Sequence, residues 1–159
     1  MSEDTSKAKT VTVRCKHPGG LILRVFTMED YDVPTPAGVK TEKRAVMRGE
    51  PVRINGAGVP LMPNGQPKEI DYLIVGGFAL TPNVDADFWN EWVRQNKDHP
   101  MVKNNLIAAH VSEDSARSES RKMKDLRSGL EPLVPDTDPR IPRRADGRSA
   151  VTTASRTAA

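Results

Sequence analysis

The sequence predicts an α+β protein: a small antiparallel β-sandwich or open barrel, then a helical segment, then an extended C-terminal arm. Three observations predict it. Period-two runs rich in β-branched residues, separated by glycine and proline turns, fill residues 10–80. At Asp85 the apolar spacing changes to a helical one. After Leu130, prolines at 132, 135, 139 and 142 exclude helix and central strand.

Length and composition bound the function classes. The 159 residues allow one compact domain with appendages. A formal net charge of +3 is too small an excess to argue for nucleic acid. Of the 33 Leu, Ile, Val and Phe residues, 27 lie in 1–111, so the core belongs there and the last 48 residues cannot build one alone. No run approaches the length of a membrane-spanning helix, and the polar start MSEDTSKAKT lacks the apolar centre of a signal peptide. A single cysteine, Cys15, excludes an internal disulfide and a cysteine-based zinc site. The chain therefore reads as neither secreted, transmembrane nor zinc-fingered, and an enzyme is disfavoured.

The elements follow in order. Residues 1–9 are a polar, flexible arm. In Thr10–Lys16, Val11, Val13 and Cys15 alternate with Thr12, Arg14 and Lys16, a half-buried strand. His17-Pro18-Gly19-Gly20 predicts a type II turn or a short hairpin loop, with positive φ at Gly19. Leu21–Thr27 is a second strand. Tyr31–Gly38 has loop chemistry, with two prolines and a glycine. Val39–Met47 reads as a strand with Lys40, Lys43 and Arg44 exposed. Pro51–Asn55 is a short strand closed by Asn55-Gly56, a hairpin signal. Residues 56–68 meander. Ile70–Leu80 is apolar on both alternations and predicts a central strand, with a bulge or bend at Gly76-Gly77.

The helical segment spans 84–127. Asp85 caps a helix with Phe88, Trp89, Trp92 and Val93 on one face. Pro100 opens a second helix with Met101, Val102, Leu106, Ile107 and Ala109 as its apolar face. Ser112 caps a third, Glu113–Arg127, whose apolar stripe is thin, so it is exposed or needs a partner. Gly129 sits at a C-cap position. Residues 128–159 form the proline-rich extended arm.

Candidate chemistry is sparse. His17-Pro18-Gly19-Gly20 matches the tetrapeptide that carries an axial haem histidine in the cytochrome b5 family. Here it joins two strands with no helical haem pocket, so a turn with an incidental histidine is the reading. Cys15 and His17 share a strand face but lack further ligands. His99 and His110 are not spaced for zinc. Asp85/Asp87 fit a helix start, and Asp136/Asp138 a proline-rich arm, rather than general acid–base pairs. No catalytic, cofactor-binding or metal-binding residue emerges. Trp89 and Trp92 either dock their helix on the sheet or face a neighbouring subunit. Arg140, Arg143 and Arg144 form a basic cluster that Asp136, Asp138 and Asp146 nearly neutralise. The candidate partner-binding residues are Trp89, Trp92, Leu133, Arg140, Ile141, Arg143 and Arg144.

The segments VTVRCKHPGGLILRVF, VGGFALT, DADFWNEWVRQNKDHPMVKNNLIAA and SARSESRKMKDLRSGLEPL, in that order, resemble small structural proteins encoded in the virion gene clusters of tailed bacteriophages and prophages. The resemblance covers about two thirds of the chain and carries no catalytic motif. It implies a virion component assembled in the host bacterial cytoplasm. The leading role is capsid decoration (cement), with the phage major capsid protein or other virion proteins as partners. A homo-oligomer on the particle and no membrane partner are expected. A head-to-tail connector or tail component is the first alternative. A nucleic-acid-binding regulator acting through Arg140–Arg144 is the second, and a small enzyme the last.

Overall fold

The alternation in Thr10–Cys15 forms strand β1, the middle of an antiparallel sheet. The computed structural model describes residues 9–131 and 138–150. Two units divide the chain, Met1–Ser128 and Gly129–Ala159.

In the first unit the sheet order is β6 (Ile74–Val75), β7 (Phe78–Asp85), β1, β8 (Ile107–His110). One face of β1 carries Val11, Val13 and Cys15. They pack with Leu23, Val25, Ile54, Val84, Trp89, Trp92, Met101, Leu106 and Ile107 into the hydrophobic core. The other face carries Thr12, Arg14 and Lys16, and these are buried too. Helix α3 (Glu113–Lys122) covers them, presenting Ala116 and Ser120 to the sheet. Arg14 lies 4.6 Å and Lys16 4.8 Å from the centroid of the Phe78 ring. Lys16 Nζ donates to the Lys124 carbonyl at 2.8 Å. The expected half-buried strand is thus buried on both sides, because the long polar side chains lay their stems under the small-residue face of α3, Ala116 and Ser120.

Several expectations are corrected. β1 does not form a hairpin with β2 (Leu21–Leu23), which pairs with β5 (Val52–Ile54). The His17–Gly20 turn has its positive φ at Gly20, not Gly19, and closes with a Gly20 N–H to His17 carbonyl bond of 3.2 Å. Asn55-Gly56 closes no hairpin. A Cβ on Gly56 would sit 2.2 Å from the Pro18 carbonyl, so the two glycine-bearing turns interlock by close backbone approach. Asn55 meanwhile donates from its side chain to the Leu80 carbonyl at 3.0 Å. The expected central strand at 70–80 is instead a tight hairpin. Gly76 and Gly77 take φ of 57° and 76°, the turn that a two-residue loop requires, and β6 becomes the edge. β7 then runs through Pro82 to Asp85, with a bulge at Pro82-Asn83 opposite Thr12.

Helix α1 (Ala86–Gln95) starts as expected, with Asp85 Oδ1 accepting from the Phe88 N–H at 2.7 Å. The second helix is only α2 (Pro100–Lys103). Ile107 and Ala109 belong to strand β8, paired in register with Cys15 and Val13. α3 ends at Lys122, short of Arg127. The chain is α+β and strand-rich, with antiparallel sheets that do not close into a barrel. No helix among the described residues is long and apolar enough to cross a membrane.

In the second unit, residues 138–150 are turns rather than an extended arm. Asp138 Oδ1 accepts from the Arg140 N–H at 2.9 Å, and Arg143 bridges Ser149. Proline and Asp-Gly punctuation here bends the chain back on itself. Residues 1–8, 132–137 and 151–159, including Leu133 and most of the N-terminal arm, lie outside the described residues.

Candidate functional site

Strands β3 (Phe26–Thr35) and β4 (Gly38–Met47) form a separate two-stranded ribbon. Pairing runs without a slip from Phe26↔Met47 to Thr35↔Gly38, around a Pro36-Ala37 turn. Ten residues per strand reach roughly 33 Å. Every residue of β4 is exposed, and in β3 only Thr27 and Val33 are partly covered. The sequence reading missed half of this ribbon. Pro34, Pro36 and Gly38 read as a loop, yet Pro34 pairs with Val39 on a strand that has no second neighbour among the described residues.

The ribbon leaves the core at a fixed point. Val25 is buried, and its carbonyl accepts from the Arg48 N–H at 2.8 Å. One residue further, Gln95 at the end of α1 behaves as a strand end. Its Oε1 accepts from the Phe26 N–H at 3.0 Å and its Nε2 donates to the Phe26 carbonyl at 2.7 Å. The same Nε2 donates to Glu91 Oε1 at 2.7 Å, and Arg94 binds Glu91 through Nε and Nη2. Hydrogen bonds from Arg94 and then Gln95 hold the Glu91 carboxyl down at about 2.

Cross-strand partners share a face, so the ribbon has two. On one lie Phe26, Met28, Ala45, Met47, Pro34 and Val39, with Asp30 opposite Lys43. Met28 is 63% and Val39 71% exposed, large apolar side chains with no layer over them. On the other lie Glu29 opposite Arg44 and Tyr31 opposite Glu42, with the Arg44 guanidinium 4.8 Å from the Tyr31 ring centroid. A groove of about 260 Å³ at the ribbon's base lies between Arg48, Asp85, Asp87, Phe88 and Glu91. Its acids are engaged in part: Asp85 caps α1 and Glu91 binds Arg94 and Gln95.

The sequence-derived candidates fall in both units. Trp89 and Trp92 are 8% and 6% exposed, their rings 5.5 Å apart in the core. They dock α1 and present no partner surface, which corrects the neighbour-facing expectation. Arg140 is held by Asp138 through bonds of 2.9 and 2.6 Å, Ile141 is buried, and Arg144 closes a backbone turn with Arg148. Cys15 is wholly buried, and burial pushes its thiol up to about 11. His17 Nδ1 accepts from the Gly19 N–H at 3.1 Å, and His99 Nδ1 caps α2 by accepting from the Met101 N–H at 3.2 Å. Among the described residues no three His, Cys, Asp or Glu side chains are gathered as a metal site would require. No family model, curated protein or solved structure matches the chain.

Proposed function

We propose that the protein is a structural component of a tailed-bacteriophage particle, a decoration protein that binds the shell of the head and bridges major-capsid subunits. The observation that carries the reading is the ribbon. Twenty residues of regular ladder stand outside the core with large apolar side chains in water. A two-stranded ribbon is marginal in isolation and gains stability when a partner covers it. The four-stranded sheet and the β2–β5 ladder serve as the two layers of a small sandwich that presents it. The kind of partner is taken from the resemblance to virion proteins. Repeated weak contacts on a symmetric shell add through avidity, so each copy needs little area of its own. The protein then works by binding, resisting the outward pressure of packaged DNA, and transforms no molecule.

The test is made on purified particles. Copy number comparable to that of the major capsid protein supports decoration, whereas a single small ring of copies favours the connector or tail reading. Replacing residues 29–44 by Asn-Gly is expected to abolish occupancy and to lower the temperature at which DNA is released. Deleting residues 130–159 asks the same of the second unit. Full occupancy and unchanged heat release with the ribbon removed would overturn the reading.

A further inference from the structure

The free backbone edges of the ribbon point in a known direction. Gln95 takes both the N–H and the carbonyl of Phe26, so Phe26 aims its backbone away from β4. In an antiparallel ladder every second residue does the same. On β3 these are Met28, Asp30, Asp32 and Pro34; on β4 they are their partners Ala45, Lys43, Thr41 and Val39, with Met47 at the base. Among the described residues each edge beyond Phe26 is therefore a row of unpaired backbone groups, the template on which a further strand adds.

Charge separates the two edges. β3 carries Glu29, Asp30 and Asp32 and no base. β4 carries Lys40, Lys43 and Arg44 against the single acid Glu42. No ion pair among the described residues uses Glu29, Asp30 or Lys43. A β3 edge meeting another β3 edge sets acid against acid, and β4 against β4 sets base against base. A β4 edge meeting the β3 edge of another copy sets Lys43 and Arg44 among acids on both sides.

We infer that the ribbon binds a second copy of this chain head to tail, the β4 edge of one copy adding to the β3 edge of the next. Strands then alternate antiparallel across the contact, as within one ribbon. The charge pattern opposes a two-fold dimer and admits the heterologous contact, which leaves one edge open at each end and so propagates. Pro34 lacks the N–H at the outer end of the β3 edge, and Gln95 occupies its base. Pairing is thereby confined to Met28–Asp32, and this fixes its register. The inference deepens the decoration reading, in which copies meet as neighbours, but its test needs no particle.

Sedimentation of the full chain over a wide concentration range is expected to show association passing beyond the dimer and weakening with salt. Asp30→Pro removes an outward N–H from the β3 edge and Thr41→Pro one from the β4 edge, as Pro34 already does without breaking the ladder. Each variant alone is expected to lose every species above monomer, while their mixture forms a one-to-one dimer through the two intact edges. Asp30→Lys and Lys43→Glu act on the same edges without touching the backbone, and test the same contact if a proline variant does not fold: neither associates alone, and the mixture does, now past the dimer because opposite charges meet at both contacts. A wild-type chain that stays monomeric, a dimer that goes no further, or an edge-blocked variant that still associates alone would overturn the inference. Full particle occupancy by a monomeric wild-type chain removes this pairing and leaves decoration standing. Association in solution without occupancy does the reverse.

Discussion

Arg14 Nε donates to His110 Nε2 at 3.1 Å, tying the centre of the sheet to its edge strand beneath α3. Arginine has no acceptor, so the His110 ring must be neutral with its proton on Nδ1. Burial, and next the Arg14 charge, hold its pKa below the usual 6.5, with Glu119 opposing. Between the folded and unfolded values the unfolded chain binds more protons, so stability is lost as the pH falls through that window. Thermal melts from about pH 8 to about pH 5 are expected to show a falling midpoint, and His110→Gln to flatten the slope. An unchanged slope in His110→Gln would place the titration elsewhere.

Trp89 and Trp92 test core against surface. Trp92→Ala is expected to cost about 3–5 kcal/mol in chemical denaturation, the range for truncating a buried aromatic. A change near zero would return the pair to the surface and restore the neighbour-facing reading.

Gly76 and Gly19 make a contrasting pair. A Cβ at Gly76, where φ is 57°, would sit 2.2 Å from the Ser120 carbonyl, so Gly76→Ala must move α3 or open the turn. A loss well above about 1 kcal/mol is expected. Gly19 lacks a positive φ, and its Cβ would meet only the His17 ring at 3.5 Å. Gly19→Ala is expected to stay within about 0.5 kcal/mol. Equal losses would mean that the glycines act through the unfolded chain alone.

Gln95 clamps the ribbon. Gln95→Ala removes both side-chain bonds to Phe26 and one to Glu91, an expected loss of about 1–3 kcal/mol. Amide exchange should accelerate along β3 and β4 before it does in β1 or β7. Exchange that rises evenly over the chain would show that the ribbon needs no clamp.

What was legible in the sequence was local. Asp85 and Ser112 name their helices because a short polar side chain before an N-terminus meets free N–H groups wherever the helix lies. The apolar alternation of β1 is equally local. What was not legible depended on distant partners. Ile107-Ala108-Ala109 fits a helix face by spacing and becomes a strand only because β1 offers it an edge. Lys16 and Arg14 look solvated until α3 is placed over them. The ribbon was hidden by Pro34, which excludes a central strand yet is harmless at an open edge. Nothing local separates Gly76-Gly77 as a bulge from the same pair as a hairpin turn; the short β6 beside β7 decides it.

The lone sulfhydryl of the chain lies sealed under the sheet and is barely ionised at neutral pH. Conjugation reagents will therefore pass over Cys15 in the native protein. A cysteine installed at Ala37, on the tip of the ribbon, becomes the single attachment point for a dye or spin probe, with no native residue to remove first. Distances between such tips, and whether they depend on protein concentration, are then measurable on an otherwise untouched molecule.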